Sequence, residues 1–248
     1  MLRVPAAIHI NYEAPSILYI RAEVRKGDKT TQATIMDEHT NFVENAHTKS
    51  KKEKVSNSQE TSTDILSLRR VYDFATTVET TELGFLLDGA KMNTAAAETS
   101  FADQYGHGLG RLLRSTTLSD TPEMKLLFGD TLFTKIISYT CGACDARMSG
   151  AMVQVMSNSG SGNQGISCSI PVYLYAKENH CTEEQTLRAL ALSNLTVIYI
   201  KQSLGRLSAL CGCVVAATGS AAGMTYLMGG SYDEITYAIN NMIANISG

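Results

Sequence analysis

The segment Lys49–Thr63, KSKKEKVSNSQETST, separates two kinds of sequence and decides how the whole chain is read. It is lysine-rich and almost without apolar residues, the composition of a solvated linker rather than of a basic binding patch. Before it, Ile17–Arg25 (ILYIRAEVR) alternates apolar and polar residues, Lys26-Gly27-Asp28-Lys29 supplies turn chemistry, and Thr30–Ile35 alternates again. That period of two predicts a β-hairpin, and Val4–Ile10 reads as a third strand. After the linker, Asp64 is a suitable N-cap, and Leu66, Val71, Phe74, Leu83, Leu86 and Leu87 recur mostly at helical spacing. Met124–Ile137, Glu183–Ser203, Leu207–Met228 and Tyr232–Ile246 also read as helices, and Thr182 with Gln185 forms a capping box ahead of the second of these. The expected fold is α+β: a small antiparallel β-rich part over residues 1–60, then a mostly α-helical bundle over residues 61–248 containing a buried Gly/Ala-rich helix.

Composition narrows the function classes. The 248 residues are enough to bury a core without disulfide or metal staples. Lys and Arg number 21 against 24 Asp and Glu, a net charge of -3, which argues against a polybasic nucleic-acid binder. No apolar stretch of signal-peptide length opens the chain, so a cytoplasmic protein is expected. In that compartment Cys141, Cys144, Cys168, Cys181, Cys211 and Cys213 are thiols or metal ligands rather than bridges. Leu207–Tyr232 contains no charged residue and is long enough to span a bilayer. It is mostly Ala, Gly, Ser, Thr and Cys, with a small-xxx-small pair at Gly219 and Gly223, and reads as a buried helix of a soluble protein; a membrane-associated helical protein is the alternative.

The most unusual segment is Ser157-Asn158-Ser159-Gly160-Ser161-Gly162-Asn163-Gln164-Gly165. Its glycines free backbone N–H groups to converge, and its hydroxyls and amides add donors, a set suited to a small carboxylate or phosphate. It lacks the lysine of a P-loop, which disfavours nucleotides. A flexible Gly/Ser linker explains the same composition, and both readings stand on residues alone. Cys141 and Cys144 have CxxC spacing without a second pair or a nearby His, so they read as ordinary thiols. Cys211 and Cys213 fall within the uncharged helix and point about 200° apart, so both cannot easily serve one metal. His39-Thr40-Asn41 is a polar cluster at the end of the hairpin; Lys91 lies in Asp88–Asn93 (DGAKMN), and Asp145 and Arg147 flank Ala146.

Taken together, DARMSG (Asp145–Gly150), MSNSGSGNQGI (Met156–Ile166) and RLSALCGCVVAATGSAAGM (Arg206–Met224) resemble the cysteine desulfidase family, relatives of the iron–sulfur L-serine dehydratase α chain. His39-Thr40-Asn41 and DGAKMN match in the same order. The resemblance implies a cytoplasmic lyase that β-eliminates L-cysteine to sulfide, ammonia and pyruvate, or L-serine in the dehydratase manner. It implies a [4Fe–4S] cluster held by three cysteines, the middle one falling on Cys211, with one iron open to the substrate as a Lewis acid. It places the substrate among Ser157, Asn158, Ser159, Gly160, Ser161, Gly162, Asn163, Gln164, Thr40, Asn41, Asp145 and Arg147, with Lys91 and His39 as candidate bases. Two family cysteines have no counterpart here: one lies in a Cys-Thr-Glu-Pro context and the other follows the segment similar to Asn240–Gly248. The expectation is therefore a chain truncated at both ends, a fragment or degenerate member that does not retain the cluster alone. Its partner would be a small amino acid, with a homo-oligomer or a complementing fragment completing it. A non-catalytic small-carboxylate-binding protein is the alternative.

Overall fold

The computed structural model describes residues 19–36, 42–45, 66–114, 131–204 and 211–247, with isolated positions outside these spans. The chain divides into two compact units, Met1–Thr61 and Ser62–Gly248.

In the first unit, β1 (Tyr19–Lys26) and β2 (Lys29–Met36) pair antiparallel from Tyr19↔Met36 to Lys26↔Lys29. Gly27 turns the chain at φ +59, a left-handed conformation that an L side chain resists. The third strand is β3 (Phe42–Asn45), which pairs antiparallel with β2 through an irregularity at Thr34/Ile35. The expected strand at Val4–Ile10 is not the one in this sheet: Ala7, His9 and Ile10 are not in a strand, and the rest of it lies outside the described residues. Phe42 and Val43 carry the aromatic and β-branched character that pairs on a pleat, a signal masked in the sequence by the polar His39-Thr40-Asn41 beside it.

The second unit is helical, as the 3.6-residue spacing predicts, and the protein is α+β. Helix α1 (Leu68–Thr77) is capped by Ser67, whose Oγ accepts from the Arg70 N–H, and it buries Val71 and Ala75. The predicted cap Asp64 lies outside the described residues. After a 3₁₀ turn, α2 (Gly84–Ala102) buries Leu86 and a row of small residues. The short α3 (Leu109–Arg114) precedes α4 (Leu132–Met148), capped by Thr131. Helix α5 (Gly162–Glu178) is buried almost all round, which explains why it has apolar residues on every face and no amphipathic signature. The predicted box opens α6 (Glu183–Leu204): the Thr182 N–H donates to Gln185 Oε1 at 2.8 Å and the Gln185 N–H to Thr182 Oγ1 at 3.2 Å.

Helix α7 (Gly212–Leu227) answers the membrane question raised by its uncharged sequence. A Cβ at Gly219 would strike the Ser193 carbonyl and Val197, and one at Gly223 the Ala189 carbonyl and Val172. Both glycines therefore serve close approach to α6 and α5 within this unit. No described helix is long and apolar enough to cross a membrane. Helix α8 (Tyr232–Ser247) buries Ile235 and Ile239 in the main core with Val71, Leu86, Val172, Leu190 and Leu192.

Candidate functional site

Helices α4, α5 and α7 meet around the donor-rich segment, and only part of that segment is a loop. Asn158 and Ser161 exchange both backbone hydrogen bonds, at 3.1 and 2.9 Å, across a two-residue turn. Ser159 at φ 49 and Gly160 at φ 80 supply its left-handed pair. Ser161 then caps α5 by accepting from the Gln164 N–H, so Gly162, Asn163, Gln164 and Gly165 form the first helical turn rather than open loop. The glycines that suggest a linker are needed for packing: a Cβ on Gly165 would run into the Met156 carbonyl, and one on Gly162 into the Arg147 side chain.

The strand-like lead-in is held by Asn93, which is fully buried on α2. Its Oδ1 accepts from the Met156 N–H at 2.8 Å, and its Nδ2 donates to the Met156 carbonyl at 3.3 Å and to Ser169 Oγ at 2.8 Å. Asn158 is likewise committed to the scaffold, its Nδ2 donating to the carbonyl and Oδ1 of Asn194. Ser159 Oγ donates to Asn158 Oδ1, and Ser157 is exposed.

Arg147 ends α4, where the helix dipole favours a cation, and crosses to the start of α5. Its Nη1 donates to Asn163 Oδ1 at 3.0 Å. Among the described residues no carboxylate forms an ion pair with it. Asp145, two residues earlier, is occupied elsewhere, accepting from the backbone N–H of His107 at 3.2 Å and of Gly108 at 3.0 Å. Gln164 is 3% exposed, and its Oε1 has no hydrogen-bond partner among the described residues. Its carboxamide lies against Gly212, the first residue of α7, so the N-termini of α5 and α7 converge here.

Five thiols lie on the helices that meet here. Cys211 is not inside the uncharged helix as its apolar run suggests; it is the exposed N-cap of α7, with extended backbone. Cys213, the second residue of α7, is held down to about 6, first by the neighbouring Cys144 thiol of α4, with Ser167, Cys211 and Arg147 adding to the effect against the opposing cost of burial. The same contact with Cys213, and then burial, pushes Cys144 far up. Burial first, then the charge of Asp145, raises Cys141. Cys168 is buried on α5 and pushed to about 12 by desolvation. The CxxC, read from sequence as two ordinary thiols, thus lies beside the Cys211-Gly212-Cys213 turn. A [4Fe–4S] cluster needs more than this: among the described residues no three His, Cys, Asp or Glu groups are placed to hold a metal ion.

The remaining sequence candidates are not gathered here. Lys91 is exposed and two positions from Asn93, about 200° around α2 from the clamp. His39, Thr40 and Asn41 lie outside the described residues. Sequence reading missed Asn93, Asn194 and Ser167 as parts of the site. An Asn on an otherwise apolar, small-residue helix face is the signal that could have found Asn93.

Arg147, with no carboxylate partner among the described residues, lies over the N-terminus of α5, and Gln164 of that same turn lies against the N-terminus of α7. Residues 17–248 match the family described as serine dehydratase alpha chain, and the chain belongs to that family. Its relatives include UPF0597 proteins from Bacteroides thetaiotaomicron, 54% identical over 235 residues, and Phocaeicola vulgatus, 52% identical over 238. In each case the match covers 93% of this chain and 53% of the relative. A UPF0597 protein of Oleidesulfovibrio alaskensis is 36% identical over 247 residues, covering 94% of this chain and 54% of its own. The chain thus spans about half the length of the curated relatives it matches. No solved structure matches.

Proposed function

We propose that this chain is the substrate-binding part of a cytoplasmic amino-acid β-eliminating lyase, acting on L-serine or, in the desulfidase manner, on L-cysteine. The observation that carries this reading is Arg147, without a described carboxylate partner, lying across the first turn of α5. A carboxylate placed there gains a guanidinium and the free N–H groups of a helix N-terminus. Family membership supports the reaction class.

In this reading Arg147 and Asn163 bind and orient the carboxylate. Loss of the α-proton and of the β-substituent gives an enamine, which hydrolyses to the keto acid and ammonia. The family's [4Fe–4S] cluster would supply Lewis acidity; Cys211 is the exposed thiol at the site, and the described residues do not complete a ligand set around it. We therefore propose that the chain alone binds the amino acid without turning it over, and that a second copy or a complementing chain is needed for activity.

The test is calorimetric titration with L-serine and L-cysteine, followed by pyruvate assay after anaerobic iron–sulfide reconstitution. Binding abolished by Arg147→Met supports the site. Unchanged binding in that variant removes it. Pyruvate from the reconstituted chain alone would overturn the need for a partner. Binding with no pyruvate even from the protein supplemented with a full-length relative would favour a non-catalytic carboxylate-binding role, the second reading of the same arginine.

A further inference from the structure

We infer that the outward face of α4 seats a further amphipathic helix, supplied in the relatives by the half of their chain that this one does not match. The inference rests on the reading above that a complement is needed, and it names the surface that receives it. Helix α4 holds three charged residues, and each is engaged by a neighbour within the unit. Lys135 Nζ pairs with Glu178 of α5 at 2.6 Å. Asp145 accepts from the His107 and Gly108 N–H groups just ahead of α3, and Arg147 donates to Asn163 of α5. The buried side of α4, with Ser138, Tyr139, Gly142 and Ala143, packs against α2, α3 and α5.

The opposite side carries no charge. Phe133, Ile137, Cys141, Cys144 and Met148 follow one another at steps of four, four, three and four, which keeps them within about 80° of arc on a stripe about 22 Å long. Phe133 is 66% exposed and Met148 67%, with Ile137, Cys141 and Cys144 half-buried between them. A helix on a free surface turns its charges to water, whereas α4 turns them to its own neighbours and shows water an apolar stripe. Such a stripe marks an interaction surface, and steps of three and four are the seam of helix-to-helix packing. Arg147 Nη1 also donates to Met148 Sδ at 3.2 Å, so a helix seated on the stripe reaches the arginine of the carboxylate site.

The size of the relatives says what covers it. The match takes up 93% of this chain and 53% of the Bacteroides thetaiotaomicron protein, which therefore carries nearly as much sequence again. The layers of one folded chain bury their apolar faces against each other. A second copy would instead set an identical stripe and a second arginine against this one, bringing like charge to the face.

The test is photo-crosslinking in the full-length Bacteroides thetaiotaomicron relative, with p-benzoylphenylalanine at the position aligned with Phe133 and, as control, at that aligned with Lys135. Peptide mapping is expected to join the first position to the same chain outside the matched half, and the control to the matched half alone. Crosslinks from the Phe133 position to the matched half of a second copy, or none beyond those of the control, would overturn the inference. In this chain, Phe133→Glu combined with Met148→Glu is expected to lower the fluorescence of bound anilinonaphthalene sulfonate about threefold or more. Phe133→Ser alone is read in its place if the double variant disturbs the far-UV circular dichroism. Unchanged dye binding would overturn the inference. So would a wild-type chain that sediments as a dimer and is dissociated by the double variant, since the face would then belong to a second copy. Neither readout depends on ligand binding or turnover, so the inference and the carboxylate site fail separately.

Discussion

The guanidinium arm of Arg147 occupies the space that a side chain on Gly162 would fill. An arginine at the end of α4 is in this way laid over the first turn of α5, with Asn163 Oδ1 fixing its Nη1 at 3.0 Å. Gly162→Ala adds one methyl group at a position where alanine suits a helix. Stability should change by less than about 1 kcal/mol, while affinity for a small carboxylate falls roughly tenfold, about 1.4 kcal/mol. Paired thermal melts and calorimetric titrations check this. A fall in melting temperature without loss of affinity would mean that the glycine serves packing alone.

Asn93 is the counterpart of this arrangement on the scaffold side. Asn93→Ala strands the part-buried N–H and carbonyl of Met156 and leaves Ser169 without its donor. Destabilisation of about 3 kcal/mol is expected from two unsatisfied backbone groups. Urea denaturation measures it, and a loss below about 1 kcal/mol would show that the lead-in is held by other means.

The thiol pair gives a pH prediction. With Cys213 held down to about 6 by Cys144, its alkylation by iodoacetamide should rise through that pH and level off by neutrality. Cys168, pushed up to about 12, should stay unmodified in the native protein. The folded value of Cys213 lies below that of a free thiol. Its contribution to stability is therefore fully present above the free-thiol pKa and is lost as pH falls through about 6. Cys144→Ala removes the largest cause and should move the alkylation midpoint upward. Mass spectrometry of peptides labelled across a pH series reads both effects.

Gly219→Val tests the role of the uncharged helix. The added carbons meet the Ser193 carbonyl and Val197, and backbone cannot yield as a side-chain tip can. A loss of about 3 kcal/mol or more is expected from overpacking at such a contact. Unaltered chemical denaturation would show that this glycine does not mediate α6–α7 packing.

Local pattern made the architecture legible. The alternation in Ile17–Arg25 and Thr30–Ile35 is visible without coordinates and falls on β1 and β2, and the Thr182–Gln185 box is equally visible, because these elements are specified by neighbours in sequence. The strand Phe42–Asn45 was hidden by the polar residues beside it, and the start of α5 by its glycines. In a helix turn, glycine looks like linker composition until the neighbour that excludes a Cβ is known.

The sequence by itself determined the α+β order, the donor-rich segment, the presence of an arginine at its approach and the kinship with the serine dehydratase alpha chain. Only the tertiary structure decided what these groups do. It consumed Asn158 and Asp145 in the scaffold, left Arg147 without a described carboxylate, turned Gln164 to Gly212 and set Cys144 beside Cys213 so that the Cys213 thiol is held down. The physical reason is that each of these relationships crosses from one helix or loop to another. The close approach that creates them depends on small residues such as Gly162, Gly165 and Gly212, and their meaning lies in the atoms opposite them rather than in their own chemistry.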